Sequence, residues 1–164
     1  VSEHEAPSVE SSTVIGTGFA NEINNGALVI GPTGLALGEH ETLFVADTLN
    51  NRIAAIPDAI DRKSAVNTGI DVSKSGYLNQ PLGMAIAPNG NILTVNGNDG
   101  KLVETTPEGR QVGVVQLDSV VDAPGNLPGA GNLFNLLVDP DKGIFFVNDN
   151  TNTLNLFHYD ADAH

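Results

Sequence analysis

Three stretches of this 164-residue chain run from an apolar segment into oxygen-bearing side chains: LFVADTLNNRI at 43–53, ILTVNGNDGKL at 92–102 and IFFVNDNTNTL at 144–154. Asp47 and Asn50 stand in the first, Asn96 and Asp99 in the second, Asn148 and Asp149 in the third. Carboxylate, amide and backbone oxygens in polar turns suit Ca²⁺, a hard cation, better than Zn²⁺. These six residues are the candidate binding residues, and Asp47, Asp99 and Asp149 are the carboxylates a Ca²⁺ ion would use. No single turn makes a complete site. NGNDG at 96–100 lacks the carboxylates of an EF-hand loop, and DPDKG at 139–143 reads more simply as a β-turn. Solvated turn residues are the plainer reading, and it outweighs the metal.

Other catalytic chemistry is thin. The chain has no cysteine and no G-x-S-x-G elbow, and its four histidines (His4, His40, His158, His164) lack metal-ligand spacing such as H-E-x-x-H. Asp47 and Arg52 flank a short turn closely enough for a charge-assisted bond, while Asn50 and Asn51 tolerate left-handed conformations. Buried charges at repeat positions are generally paired, so a structural role for Asp47, Asn51 and Arg52 outweighs a ligand role.

Composition bounds what could position these residues. A 40% hydrophobic content and a net charge of −13 describe a globular, acidic chain that repels nucleic acid and anionic membrane surfaces. Eighteen Gly and nine Pro break short Val-, Ile-, Leu- and Thr-rich runs, as in many-turned all-β proteins. No apolar run approaches the roughly 18 residues of a membrane span. The stretch VSEHEAPSVESS has no signal-peptide character, which is consistent with a mature secreted or periplasmic chain. Residues 1–12 read as a flexible arm, and 160–164 as a tail.

Repetition organises the rest. PTGLAL at 32, PLGMAI at 81 and LFNLLV at 133 are offset by 49 and 52 residues, and the same offsets carry Leu43 to Ile92 to Ile144 and Arg52 to Lys101 to Thr153. Each copy reads as antiparallel strands: a (34–37, 83–86, 135–138), b (43–46, 92–95, 144–147) and c (52–56, 101–105, 153–158). A fourth run follows twice, at 65–72 and 111–117, and a similar run at 13–18 precedes the first copy. A period of about 50 residues with four short strands predicts β-propeller blades. Gly34 and Gly83 should let the innermost strands approach closely. Phe44, Leu93 and Phe145, with Val45 and Val147, should pack blade against blade.

The stretch GPTGLALGEHETLFVADTLNNRIAAI resembles an NHL repeat, with a Pro-x-Gly strand, a hairpin, a strand ending in Ala-Asp, and Asn-Arg before the next strand. Over 13–159 the arrangement is also similar to the C-terminal half of secreted bacterial NHL-type six-bladed propellers of unassigned function. The resemblance implies an all-β, NHL-type β-propeller with about three four-stranded blades, half of a six-bladed ring. The b–c turns and d–a connections would then share one mouth, including 21–31, 74–80 and 119–132.

Two functions follow as expectations. The favoured one is a non-enzymatic binding or assembly module of an extracytoplasmic protein, engaging a protein or small ligand through mouth loops or blade edges. The alternative is a Ca²⁺-dependent propeller hydrolase or lyase of lactonase-like type. Three blades cannot close a ring, so the expected partner is a second copy, donating 13–18 to the third blade, or a chain carrying the missing blades.

Overall fold

A computed structural model describes residues 8–24 and 28–158, and the sequence pattern explains most of its strands. A hairpin comes first, β1 (Glu22–Asn24) with β2 (Leu28–Ile30). The first large sheet holds β3 (Pro32–Leu37), β4 (Leu43–Asp47), β5 (Arg52–Ile56) and β6 (Ile70–Lys74) in sequence order. The second repeats this with β7 (Pro81–Ile86), β8 (Ile92–Asn96), β9 (Lys101–Thr105) and β10 (Gln111–Gln116). The third has three strands among the described residues: β11 (Leu133–Asp139), β12 (Gly143–Asn148) and β13 (Thr153–Phe157). Every neighbouring pair is antiparallel. The chain is all-β and builds part of a β-propeller.

Strands β4 and β5 are apolar on both faces because both faces are covered. Phe44, Ala46, Ile53 and Ala55 turn toward the second sheet and meet Met84, Ile92 and Val103. On the opposite face Val45, Ala54 and Ile56 are covered by Ile15, Phe19 and Val66. A second interface joins the next pair of sheets, where Leu93, Val95 and Leu102 meet Leu133, Leu136 and Ile144. Each large side chain buried in this way contributes roughly 1.5–3 kcal/mol. Phe145 departs from its expected role. It is exposed because, among the described residues, no sheet lies beyond the third.

The innermost strands β3, β7 and β11 approach at glycine. A Cβ on Gly34 would strike the Leu82 carbonyl oxygen, and one on Gly83 would lie 2.7 Å from Asn135 Cα and 2.8 Å from Phe134 O. The a–b hairpins close through Gly38 N–H to Thr42 O at 2.9 Å and Ala87 N–H to Asn91 O at 2.8 Å. In the third sheet the Asp139 carboxylate takes the N–H groups of Asp141 and Lys142, as a β-turn requires.

Three local expectations need correction. The fourth strand of the first sheet begins at Ile70 rather than 65, because Asn67 and Gly69 adopt positive φ and bend the chain. Residues 21–31, expected as a mouth loop, contain the β1–β2 hairpin. The run 13–18 is not a strand: Thr17 N–H donates to Asn67 O at 2.7 Å and Ile15 O accepts from Val66 N–H at 3.0 Å, too few bonds for a ladder. Residues 8–12 are exposed without regular structure, while 1–7 and the tail 160–164, with His4 and His164, lie outside the described residues.

Candidate functional site

The first b–c turn places Asp47 at the end of β4 and Arg52 at the start of β5 as cross-strand partners. A single 3-10 turn, Thr48–Asn50, joins them, and Asn51 closes it in the left-handed region with φ 48°. The Asp47 carboxylate is fully buried. Arg52 donates to Asp47 Oδ2 from Nε at 2.9 Å and lies 2.7 Å from it through Nη2, while Asn50 Nδ2 donates to both carboxylate oxygens at 3.0 and 3.1 Å. Arg52 also pairs with Asp71, donates to Thr68 O at 3.0 Å, and stands 6.0 Å from the Phe19 ring centroid. Burial opposes the Arg52 charge, but hydrogen bonds and charges from Asp71 and Asp47 outweigh it and raise the pKa above its ordinary value. The Arg52 hydrogen bond lowers the Asp71 pKa. Asn51 Oδ1 takes the Gln80 N–H at 2.6 Å, tying this turn to the next blade.

The second turn repeats the geometry with different residues. Buried Asn96 donates through Nδ2 to Tyr77 O at 2.7 Å and Asp99 Oδ1 at 3.0 Å, and its Oδ1 accepts from Asn79 N–H at 3.1 Å. Lys101 Nζ sits 3.1 Å from Asp99 Oδ2. The third turn has neither a Lys nor an Arg at the matching place, which is Thr153. Asn148 Oδ1 accepts from Thr151 N–H at 3.0 Å, and its Nδ2 donates to Asp118. Asp149 is exposed, and its N–H donates to Asn132 O at 2.9 Å.

Asp118 and Asn132 have no place among the sequence candidates, yet they organise this end of the molecule. Buried Asp118 accepts from Val120 N–H at 2.7 Å and Asn132 Nδ2 at 2.9 Å in addition to Asn148. Burial alone would raise its pKa, but these three donors overcome it and hold the group below the ordinary carboxylate value. Asp47, Asp99 and Asp149 therefore stay in separate turns, whose polar groups are spent on their own sheets and on the connections beside them. Asp47 already faces Arg52, and Asp99 faces Lys101, so a divalent cation would compete with a resident one at either. Among the described residues no group of three or more His, Asp or Glu is placed to hold a metal. His40 is exposed, as is His158, whose Nδ1 lies 3.0 Å from Lys142 O.

A groove of about 390 Å³ runs across the inner strands, between Thr33 and Leu35 of β3, Leu82 of β7, and Phe134 and Asn135 of β11. Thr33 Oγ1 is engaged with Leu82 O at 3.1 Å and Thr48 Oγ1 at 2.9 Å. No ionisable side chain lines the groove, so it offers shape and amide chemistry rather than an acid or a base.

No family model matches the chain, and the curated proteins include no significant match. Solved structures do resemble it. A catalytically inactive virginiamycin B lyase from Staphylococcus aureus with quinupristin aligns over 87% of this chain and 49% of its own, at 12% identity and a TM-score of 0.51. The calcium-binding protein regucalcin from Agrobacterium tumefaciens aligns over 72% of this chain and 40% of its own, at 14% identity and a TM-score of 0.52. A luciferin-regenerating enzyme aligns over 87% and 45%, at 12% identity and a TM-score of 0.54. At such identities the likeness is one of fold. The chain spans about half the length of the solved chains it matches or less.

Proposed function

We propose that this chain is a non-enzymatic assembly and binding module of an extracytoplasmic, NHL-type β-propeller, engaging a partner polypeptide through the exposed edge of its third blade. The carrying observation is Leu154, 84% exposed at the repeat position where the first two blades bury Ile53 and Leu102. The internally bonded turns at Asp47, Asn96 and Asn148 support the same reading, since their polar groups are spent on the fold. Sedimentation velocity tests it. The chain should associate above its 17.0 kDa monomer mass, and Leu154→Lys with Phe145→Lys should reverse this without changing the β-sheet circular dichroism. Wild type and variant both sedimenting as monomers would overturn the reading.

A Ca²⁺-dependent propeller hydrolase or lyase is the second reading, and the named activities of the structural neighbours, a lyase and a calcium-binding protein, favour it. Asp47, Asp99 and Asp149 would be its ligands. Calorimetric titration with millimolar Ca²⁺, joined to a lactone and ester turnover assay, decides it. Absence of both heat and turnover would dismiss it.

A further inference from the structure

Among the described residues, the first and third sheets each carry apolar side chains whose repeat counterparts are buried. The outward face of the third sheet carries Leu137, Phe145 and Leu156 as direct cross-strand neighbours, with Leu154 opposite Val147. At the corresponding place Phe44 is 5% and Leu93 6% exposed, each covered by the next blade, whereas Phe145 is 39% exposed. The two internal interfaces thus show what belongs on this face: the leading face of another blade of this kind.

Such a leading face is also bare, and only in part. Met84 on β7 is buried against the preceding blade, but its repeat counterpart Leu35 on β3 is 58% exposed. Farther out on the same sheet, Val45, Ala54 and Ile56 are covered by Ile15 and Phe19. The covering segment has a counterpart inside the chain. Val72 O of β6 lies close to Gly109 in the turn between β9 and β10, and residues 15–17 lie against the connection between β5 and β6, there through hydrogen bonds with Val66 and Asn67. Residues 13–19 therefore cover the outer part of the first sheet, and among the described residues no sheet accompanies them there. The third sheet, among the described residues, has three strands where the first two have four.

We infer that two copies close head to tail, the third sheet of each filling the gap ahead of the other's β3 and pairing the open edge of β13 with residues 13–18. Three blades from each copy make six, within the roughly four to eight that rings of this architecture contain. Each copy contributes the same two surfaces, so the dimer has a twofold axis and both joints are satisfied at once. This inference rests on the assembly reading above but is narrower, since it fixes the partner and the geometry.

Sedimentation equilibrium over a wide concentration range, with cysteine cross-linking, tests it. The chain contains no cysteine, so Thr17→Cys combined in turn with Leu154→Cys, Asn155→Cys or Leu156→Cys reports only the designed joint. A species of two copies that does not grow with concentration, together with a disulfide-linked dimer from at least one pair, is expected. Leu35→Lys, on the opposite end of the chain from β13, should dissociate it as Leu154→Lys does. A ladder of larger species through the same third-blade face, or a dimer indifferent to Leu35→Lys, would overturn ring closure while leaving the assembly reading intact. A monomer at every concentration, unchanged by Leu154→Lys, would overturn both.

Discussion

Asp118 accepts hydrogen bonds from Val120 and Asn132, near the two ends of the connection between β10 and β11, and from Asn148 at the end of β12, so its carboxylate fixes the long connection into the third blade. Asp118→Asn puts an amide where three donors converge and should cost about 1–3 kcal/mol, read as a lower urea midpoint. The effect should depend on pH with a definite sign. A carboxylate whose folded pKa is depressed contributes stability above its unfolded value, about 3.9, and loses it as pH falls through the lower folded value. Wild type and Asp118→Asn should therefore differ at pH 7, and the difference should shrink as pH falls below the unfolded value and through the lower folded one. A constant difference from pH 7 to pH 2 would refute this role for the ionised group. Gly83→Ala makes a second test: the added methyl meets Asn135 and Phe134 backbone atoms, which cannot rotate away, and should destabilise by about 1–3 kcal/mol in the same assay. Sequence exposed these two residues unequally. Gly83 recurs at the place of Gly34, so the repeat marks it, whereas the Asn partners of Asp118 lie 14 and 30 residues away and nothing local signals them.

At the scale of elements, the b–c turns use one backbone shape and three chemistries. Asp47, Asn50 and Arg52 close the first turn, Asn96, Asp99 and Lys101 the second, and Asn148 with Thr151 the third. Removing Arg52 strands the buried Asp47 charge, so Arg52→Leu should cost about 3–5 kcal/mol, while Asp47→Leu with Arg52→Leu should cost clearly less than the two single changes added. A double-mutant cycle measured by urea unfolding reads both values. Strict additivity would mean that the two side chains act independently. The hairpins and sheet order were legible because apolar runs and Gly-containing turns recur at fixed offsets. The β1–β2 hairpin has no counterpart in the other copies, so the repeat that reveals the other hairpins does not reveal this one. Residues 13–18 misled in the opposite direction. Their likeness to 66–69 suggested a strand, yet a strand exists only where a neighbouring edge supplies a ladder, and here contact is limited to two hydrogen bonds and the packing of Ile15 and Phe19.

The whole molecule sets its electrostatics against its apolar surfaces. Each copy carries −13, and bringing two together confines a large like charge within a few Debye lengths. The surfaces inferred to meet are neutral: Leu137, Phe145, Leu154 and Leu156 on one side, Leu35 and Leu37 on the other. Attraction at the joint is thus apolar and nearly indifferent to salt, whereas the repulsion between copies is screened by it. Self-association should tighten as NaCl rises from about 20 to 300 mM, over which the Debye length falls from roughly 20 Å to 6 Å. The dissociation constant from sedimentation equilibrium should fall several-fold across that range. Removing residues 1–19 should abolish the association at every salt concentration, because the segment inferred to pair with β13 and the Phe19 contact with Arg52 are lost, while removing 1–11 should leave it unchanged. An association that weakens with added salt would point instead to ion pairs across the joint, and to a contact surface other than the third-blade face.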